Sequence, residues 1–263
     1  MLGRLESIVS KASWLLWTEF SNGEGSEIVG RHGDDVSRAI DVKIERYIYE
    51  ALKSSFSGGI LIAEEGGVYT WGDQRHVFVL DPLDGSLNYA LGIPVFTISL
   101  AAGIYKNGDL SDLQYAVLAV PSKGEIYSVG PGIPPARNGR PVARRPEANK
   151  VVFFAVSDSV PQEALKRITS KGFKIRTLGC SSYELLLTAL GYSSGFVDLR
   201  GKLRALDIVS SLLIGRALGL NYVLLGDYSL KSEGISLLAG PTELINELKN
   251  FGGGNKGVSI ASI

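Results

Sequence analysis

Cysteine is nearly absent. The 263-residue chain has one, Cys180, which excludes an internal disulfide and a multi-cysteine zinc site. Histidine is almost as scarce: His32 and His76 stand without a partner at ligand spacing. Soft-metal chemistry is thereby disfavoured, while oxygen-only coordination stays open. No charge of either sign is in excess, since 27 basic residues balance 27 acidic ones. With no basic stripe either, the electrostatic footprint of a nucleic-acid binder is missing. No apolar run approaches the roughly 18–20 residues a membrane span requires. The N-terminus also lacks the charged start, apolar core and cleavage site of a secretory signal. These absences predict a soluble cytoplasmic protein with no nucleic-acid or membrane partner.

What the chain does have is acid at the ends of apolar runs. Val77-Phe78-Val79-Leu80 reads as a buried strand and leads into Asp81-Pro82-Leu83-Asp84-Gly85-Ser86. Pro82 stiffens the link between the carboxylates, and Gly85 permits a sharp turn. Asp81 and Asp84 can then point into one small space beside Ser86 and free N–H groups. Crowded carboxylates repel unless a cation or a proton intervenes. Taken alone, the motif is equally well a strand-to-helix turn with an aspartate cap. A second run, Ile60-Leu61-Ile62-Ala63, ends in Glu64 and Glu65, then Gly66-Gly67. Two strands that both finish in acids suggest a site at the carboxyl edge of a sheet, where open α/β sheets bind ligands. Glu65 reads better as a solvated loop residue.

The rest of the chain supplies a frame for that edge. Residues 5–16 place apolar side chains on one helical face, and Ile40, Ile44, Tyr47, Ile48 and Ala51 do the same. The Gly-rich stretch from Ser21 to Gly33 reads as a mobile loop. Strand-like runs at 95–105, 113–120 and 125–129 follow one another closely, which favours antiparallel pairing. Five of the ten prolines fall between Pro131 and Pro146, which makes that stretch the candidate boundary. It would divide an α+β unit at 1–145 from an α/β unit at 146–263. Beyond it strands and helices alternate, including a strand at 195–199 and a helix from Asp207 to Leu218.

Glu64-Glu65, the stretch from Asp81 to Asn88, and Leu206-Asp207-Ile208 opening a late helix together resemble the inositol monophosphatase family. These are lithium-sensitive, magnesium-dependent sugar phosphatases, and the similarity spans nearly the whole chain. Ser37 to Asp41 and Asp198 to Arg204 resemble the archaeal branch, whose members often accept inositol phosphates and fructose bisphosphate alike. The resemblance implies an αβαβα layered sandwich, the sugar-phosphatase fold, with an α+β first half and an α/β second half. It also implies a homodimer, and a sugar or polyol phosphate as the small-molecule partner.

Site roles follow from the resemblance position by position. Glu64, Asp81, Asp84 and the Leu83 carbonyl would hold metal, two or three Mg2+ ions with Mn2+ as a possible substitute. Asp207 would complete the set from the second half, although a helix cap is the commoner role for an Asp so placed. A metal-activated water would attack phosphorus, with Glu64 taking or orienting its proton. Asp41 and Ser86 would position that water, Ser86 standing where threonine is usual. The N–H groups of Gly85 and Ser86 would bind phosphate. Gly179, Cys180 and Ser181 match the sugar-contacting turn, and Asp198 replaces an inositol-binding glutamate. Arg200, Lys202 and Arg204 alternate along an extended stretch and would present one cationic face to a second phosphate, or equally a solvated strand edge. Nothing activates Cys180 as a nucleophile, so no phosphoenzyme is expected. The expected substrates are inositol 1-phosphate and fructose 1,6-bisphosphate. Nucleotide 3′-phosphates or the 2′-phosphate of NADP are the alternatives, and a non-catalytic metal- or phosphate-binding regulator is the rival of another class.

Overall fold

The computed structural model describes residues 1–32, 35–146, 149–227 and 229–251. Helix α1 (Leu2–Asn22) is longer than its apolar face at 5–16 predicts, and Gly23 ends it with a left-handed φ of 74°. The loop expected at 21–33 is largely structured: β1 (Ile28–His32) pairs antiparallel with β2 (Asp35–Arg38). Gly33 and Asp34 lie outside the described residues. Then come α2 (Ala39–Ser55), β3 (Gly59–Ala63), β4 (Gly67–Trp71), β5 (His76–Asp84) and the short α3 (Ser86–Ala90). Strands β6 (Thr97–Ile104), β7 (Leu113–Val120), β8 (Glu125–Gly130), β9 (Ile133–Arg137) and β10 (Arg140–Pro141) complete an eight-stranded sheet. Its order is β10-β9-β8-β7-β6-β5-β3-β4. The proline-rich stretch is therefore not all linker. Its first part forms β9 and the edge strand β10, where a missing N–H is tolerated.

The second half builds a smaller sheet. Its elements are β11 (Val151–Ala155), α4 (Gln162–Ser170), β12 (Lys174–Arg176), α5 (Ser181–Ala189), β13 (Gly195–Leu203), α6 (Ala205–Ala217), β14 (Tyr222–Leu225), β15 (Ile235–Ala239) and α7 (Thr242–Leu248). The strand order is β12-β11-β13-β15-β14. The β11 pairings are parallel, and those of β15 antiparallel.

Side-chain alternation stacks the layers. On β5, Phe78 and Leu80 pack with α1 and α2 through Leu5, Leu16, Ile44 and Ile48. Val77 and Val79 point the other way, onto α5 and α6 through Leu185, Ile208 and Leu212, with Phe196 and Leu237 of the second sheet. Val152, Phe154 and Val197 cover the outer face of that sheet against α4 and α7. A strand buried on both faces reads as a continuous apolar run, which is why β5 shows no polar alternation. The result is five layers, αβαβα. Among the described residues, no helix is long and apolar enough to cross a membrane.

Candidate active site

Strands β3 and β5 are parallel neighbours with Ala63 opposite Leu80, so Glu64 and Asp81 leave the sheet at the same edge. The β5–β6 ladder then slips: Asp81 faces Ser99 and Asp84 faces Thr97. Residues three apart on a regular strand point to opposite faces. The extra residue in this bulge brings Asp84 back to the side of Asp81. Asp81 is almost fully buried, and one of its oxygens accepts the Leu83 N–H at 3.0 Å. Gly85 follows with φ 94°, and a Cβ there would lie 2.8 Å from the Val95 carbonyl oxygen, so only glycine makes this turn.

Two helix N-termini close the space. Asp41 is the third residue of α2 and accepts the Arg38 N–H at 2.8 Å; Asp207 is the third residue of α6 and accepts the Arg204 N–H at 2.8 Å. Each therefore caps its helix. The Arg204 guanidinium bridges Glu64 Oε1 at 2.7 Å and Asp207 Oδ1 at 3.0 Å. Asp41 carries a buried Oδ1 with no hydrogen-bond partner. The cleft so formed holds about 350 Å³. Asp41, Glu64, Asp81, Leu83, Asp84, Gly85 and Ser86 line it, with Gly179, Cys180, Ser181, Arg200 and Arg204 from the second half. Glu65, expected in solvent, lines it too.

Two expectations change. Asp198 does not line the cleft: its side chain is fully buried, and Arg200 takes both its oxygens, with Nη2 to Oδ2 at 2.5 Å. Arg200, held in this fork, faces the cleft in its place. The cationic row is not one face, because Gly201 takes a left-handed φ of 64° and the β13–β15 register breaks there. Lys202 is left exposed, and Arg204 turns in to the acids. Cys180 is 1% exposed, and its thiol reaches the Asp84 backbone oxygen and Oδ2 at 3.3 Å each. Burial, then the Asp84 charge, pushes that thiol well above its usual range.

Residues that were given no site role also shape the cleft. Ser182 donates to Asp84 Oδ2 through its backbone N–H at 2.6 Å and its hydroxyl at 2.5 Å, and that hydroxyl also meets Thr97 Oγ1 at 2.5 Å. Asn88 donates to the Leu178 carbonyl at 2.7 Å and ties the 178–180 turn to α3. Glu184 lines the cleft from α5 and accepts the Leu178 N–H. A lone glutamate beside Leu185-Leu186-Leu187 is the signal that would have found it.

The electrostatics are those of a site short of positive charge. Burial raises Asp41 to about 7 and Asp207 to about 6. It raises Glu64, Asp81 and Asp84 as well, and for Asp81 repulsion from Glu64, Asp84 and Asp207 adds to it. Among the described residues, no three acidic, histidine or cysteine side chains already converge as a metal chelate. Arg204 stands among the acids instead. The donor set is nonetheless all oxygen, as hard cations require, and Asp41, whose Oδ1 has no hydrogen-bond partner, is part of the same lining.

Glu184 gives a first test. Burial raises its carboxyl from 4.5 to about 7. The folded chain then keeps a proton that the unfolded chain releases, so stability falls as pH rises across that window. Glu184→Gln keeps an acceptor for Leu178 and removes the titration. Relative to wild type, the variant should gain about 3 kcal/mol between about pH 4 and about pH 8. Urea denaturation at the two ends measures it, and parallel pH profiles would contradict the assignment.

A five-layer sandwich with a carboxylate-lined cleft at its seam defines a class, the layered phosphoric monoester hydrolases. The model of the inositol monophosphatase family matches residues 4–249, and the chain belongs to that family. A fructose-1,6-bisphosphatase of Pyrococcus furiosus is 28% identical over 216 residues, covering 81% of this chain and 80% of its own. A fructose-1,6-bisphosphatase/inositol-1-monophosphatase of Thermococcus kodakarensis is 29% identical over 202 residues, covering 76% and 74%. The crystal structure of the MJ0109 gene product, an inositol monophosphatase–fructose 1,6-bisphosphatase, superposes with a TM-score of 0.77 at 22% identity over 95% of this chain and 98% of that one. At that identity it speaks for the fold.

Proposed function

We propose that this phosphatase is magnesium-dependent and hydrolyses inositol 1-phosphate and fructose 1,6-bisphosphate. The observation that carries the reading is the gathering of Glu64, Asp81 and Asp84 at one sheet edge, with Asp41 in the same cleft and Asp207 near enough for its charge to act on Asp81. Glu64, Asp81, Asp84, Asp207 and the Leu83 carbonyl would hold the ions. When bound, magnesium supplies positive charge that offsets these carboxylates and the phosphoryl oxygens and acidifies water. The chain's own groups do the rest. The N–H groups of Gly85 and Ser86 seat the phosphate; Asp41 and the Ser86 hydroxyl orient water, and Glu64 takes or orients its proton. Arg200 faces the sugar side, where a guanidinium fork suits a second phosphate. The named relatives support the pair of substrates.

Phosphate release measured with and without magnesium, and with lithium, tests the reading. Inositol 1-phosphate and fructose 1,6-bisphosphate should be turned over only with magnesium, and lithium should inhibit. Turnover of a nucleoside 3′,5′-bisphosphate or NADP alone would move the substrate to the adenine compounds. No turnover by a folded protein would favour a silent regulator.

A further inference from the structure

We infer that Glu45 is a positioning residue that fixes the Glu64–Glu65 turn against α2 and so sets where Glu64 stands in the cleft; this rests on the magnesium-site reading above. Glu45 is 2% exposed and lies one helical turn after Asp41, on the same face of α2. Its two carboxylate oxygens take three donors. Oε2 accepts the Glu65 N–H at 2.8 Å, while Oε1 accepts the Gly66 N–H at 2.7 Å and the Tyr69 hydroxyl at 2.8 Å. The β3–β4 turn is thus clamped to the helix at the two residues that follow Glu64. A Cβ on Gly66 would collide with the Tyr69 hydroxyl and lie 2.8 Å from Glu45 Oε1, so a larger residue there would have to displace the partners of the clamp. Gly66 is itself exposed, and its amide donates to Glu45 Oε1.

The geometry goes beyond a packing role. Asp41 and Glu64 enter the cleft from different elements, α2 and the end of β3. Charge on Glu64 and on Glu65 already acts on Asp41. Glu45 joins those elements at the point where their acids meet. A carboxylate is needed there because two neighbouring N–H groups each require an acceptor. Glutamine offers one acceptor and turns N–H donors towards the other amide.

Amide hydrogen exchange and magnesium titration calorimetry on the whole chain test this. In wild type, the Glu65 and Gly66 amides should exchange slowly although their turn is at the surface. In Glu45→Gln they should exchange about tenfold faster or more. Magnesium affinity should fall about 10–100-fold, as losses behind a ligand typically do, with the KM of the substrate little changed. A merely structural residue would lower the melting temperature and leave magnesium affinity alone. The inference is overturned by a folded Glu45→Gln chain with wild-type exchange at 65 and 66, or with unchanged magnesium affinity. Fast exchange of both amides in wild type also overturns it, whether or not the variant folds. If wild type takes up no magnesium while the variant's amides still open, the clamp stands and the metal reading falls.

Discussion

Asp84→Asn should lose on the order of 10²–10³-fold in kcat and melt no lower than wild type. Both halves of that result come from one set of contacts. The Ser182 N–H and hydroxyl point at Asp84 Oδ2, and an amide oxygen can accept from them as well. Burial raises the Asp84 carboxyl, so ionising it costs stability, and a neutral isostere removes that cost. What the variant gives up is negative charge in the cleft, which a cation needs and the fold does not. Phosphate release and a thermal melt on the same preparation check it. Normal turnover would remove Asp84 from the site.

Arg204→Met should produce the largest loss of stability, and magnesium should reverse much of it. The guanidinium bridges Glu64 and Asp207, all three side chains being under a third exposed. Removing one partner of a buried pair costs about 3–5 kcal/mol, since the other charge is left uncompensated. Glu64, Asp81 and Asp207 already sit above the ordinary carboxylate range, and without the arginine they rise further. The folded chain then holds protons that the unfolded chain releases, so the loss is greatest at alkaline pH and shrinks as pH falls towards about 6, where Asp207 is protonated with or without the arginine. A divalent cation bound to the folded state restores stability in proportion to RT ln(1 + [L]/Kd). Melting with chelator and with saturating magnesium should show a larger gain for the variant than for wild type. Equal gains would mean that Arg204 does not stand where a cation belongs.

How much of this was readable beforehand follows from how far apart the interacting residues lie. Asp81, Asp84 and Glu64 were legible because each ends an apolar run, and a sheet brings its strand ends together. The αβαβα layering came through the family resemblance, and the buried alternation of β5 agrees with it. Ser182 and Glu45 were not legible. Their partners are 98 and 20 or more residues away, and neither sits in a local pattern that marks it. Asp198 left the expected set of substrate contacts for a related reason, while Arg200 stayed in the cleft. The resemblance put Asp198 where an inositol-binding glutamate is usual, but the fork with Arg200 occupies both of its oxygens. The row at 200–204 failed at Gly201, whose left-handed backbone ends the strand's alternation.

Asp84 leaves the first sheet and takes its hydrogen bonds from a helix of the second half. The reactive groove is a joint between separately built layers and not a pit within either. Warming that slides one layer against the other by an ångström would disarm the enzyme while every strand and helix stayed intact. Inactivation by heat is therefore expected to run ahead of the loss of circular dichroism.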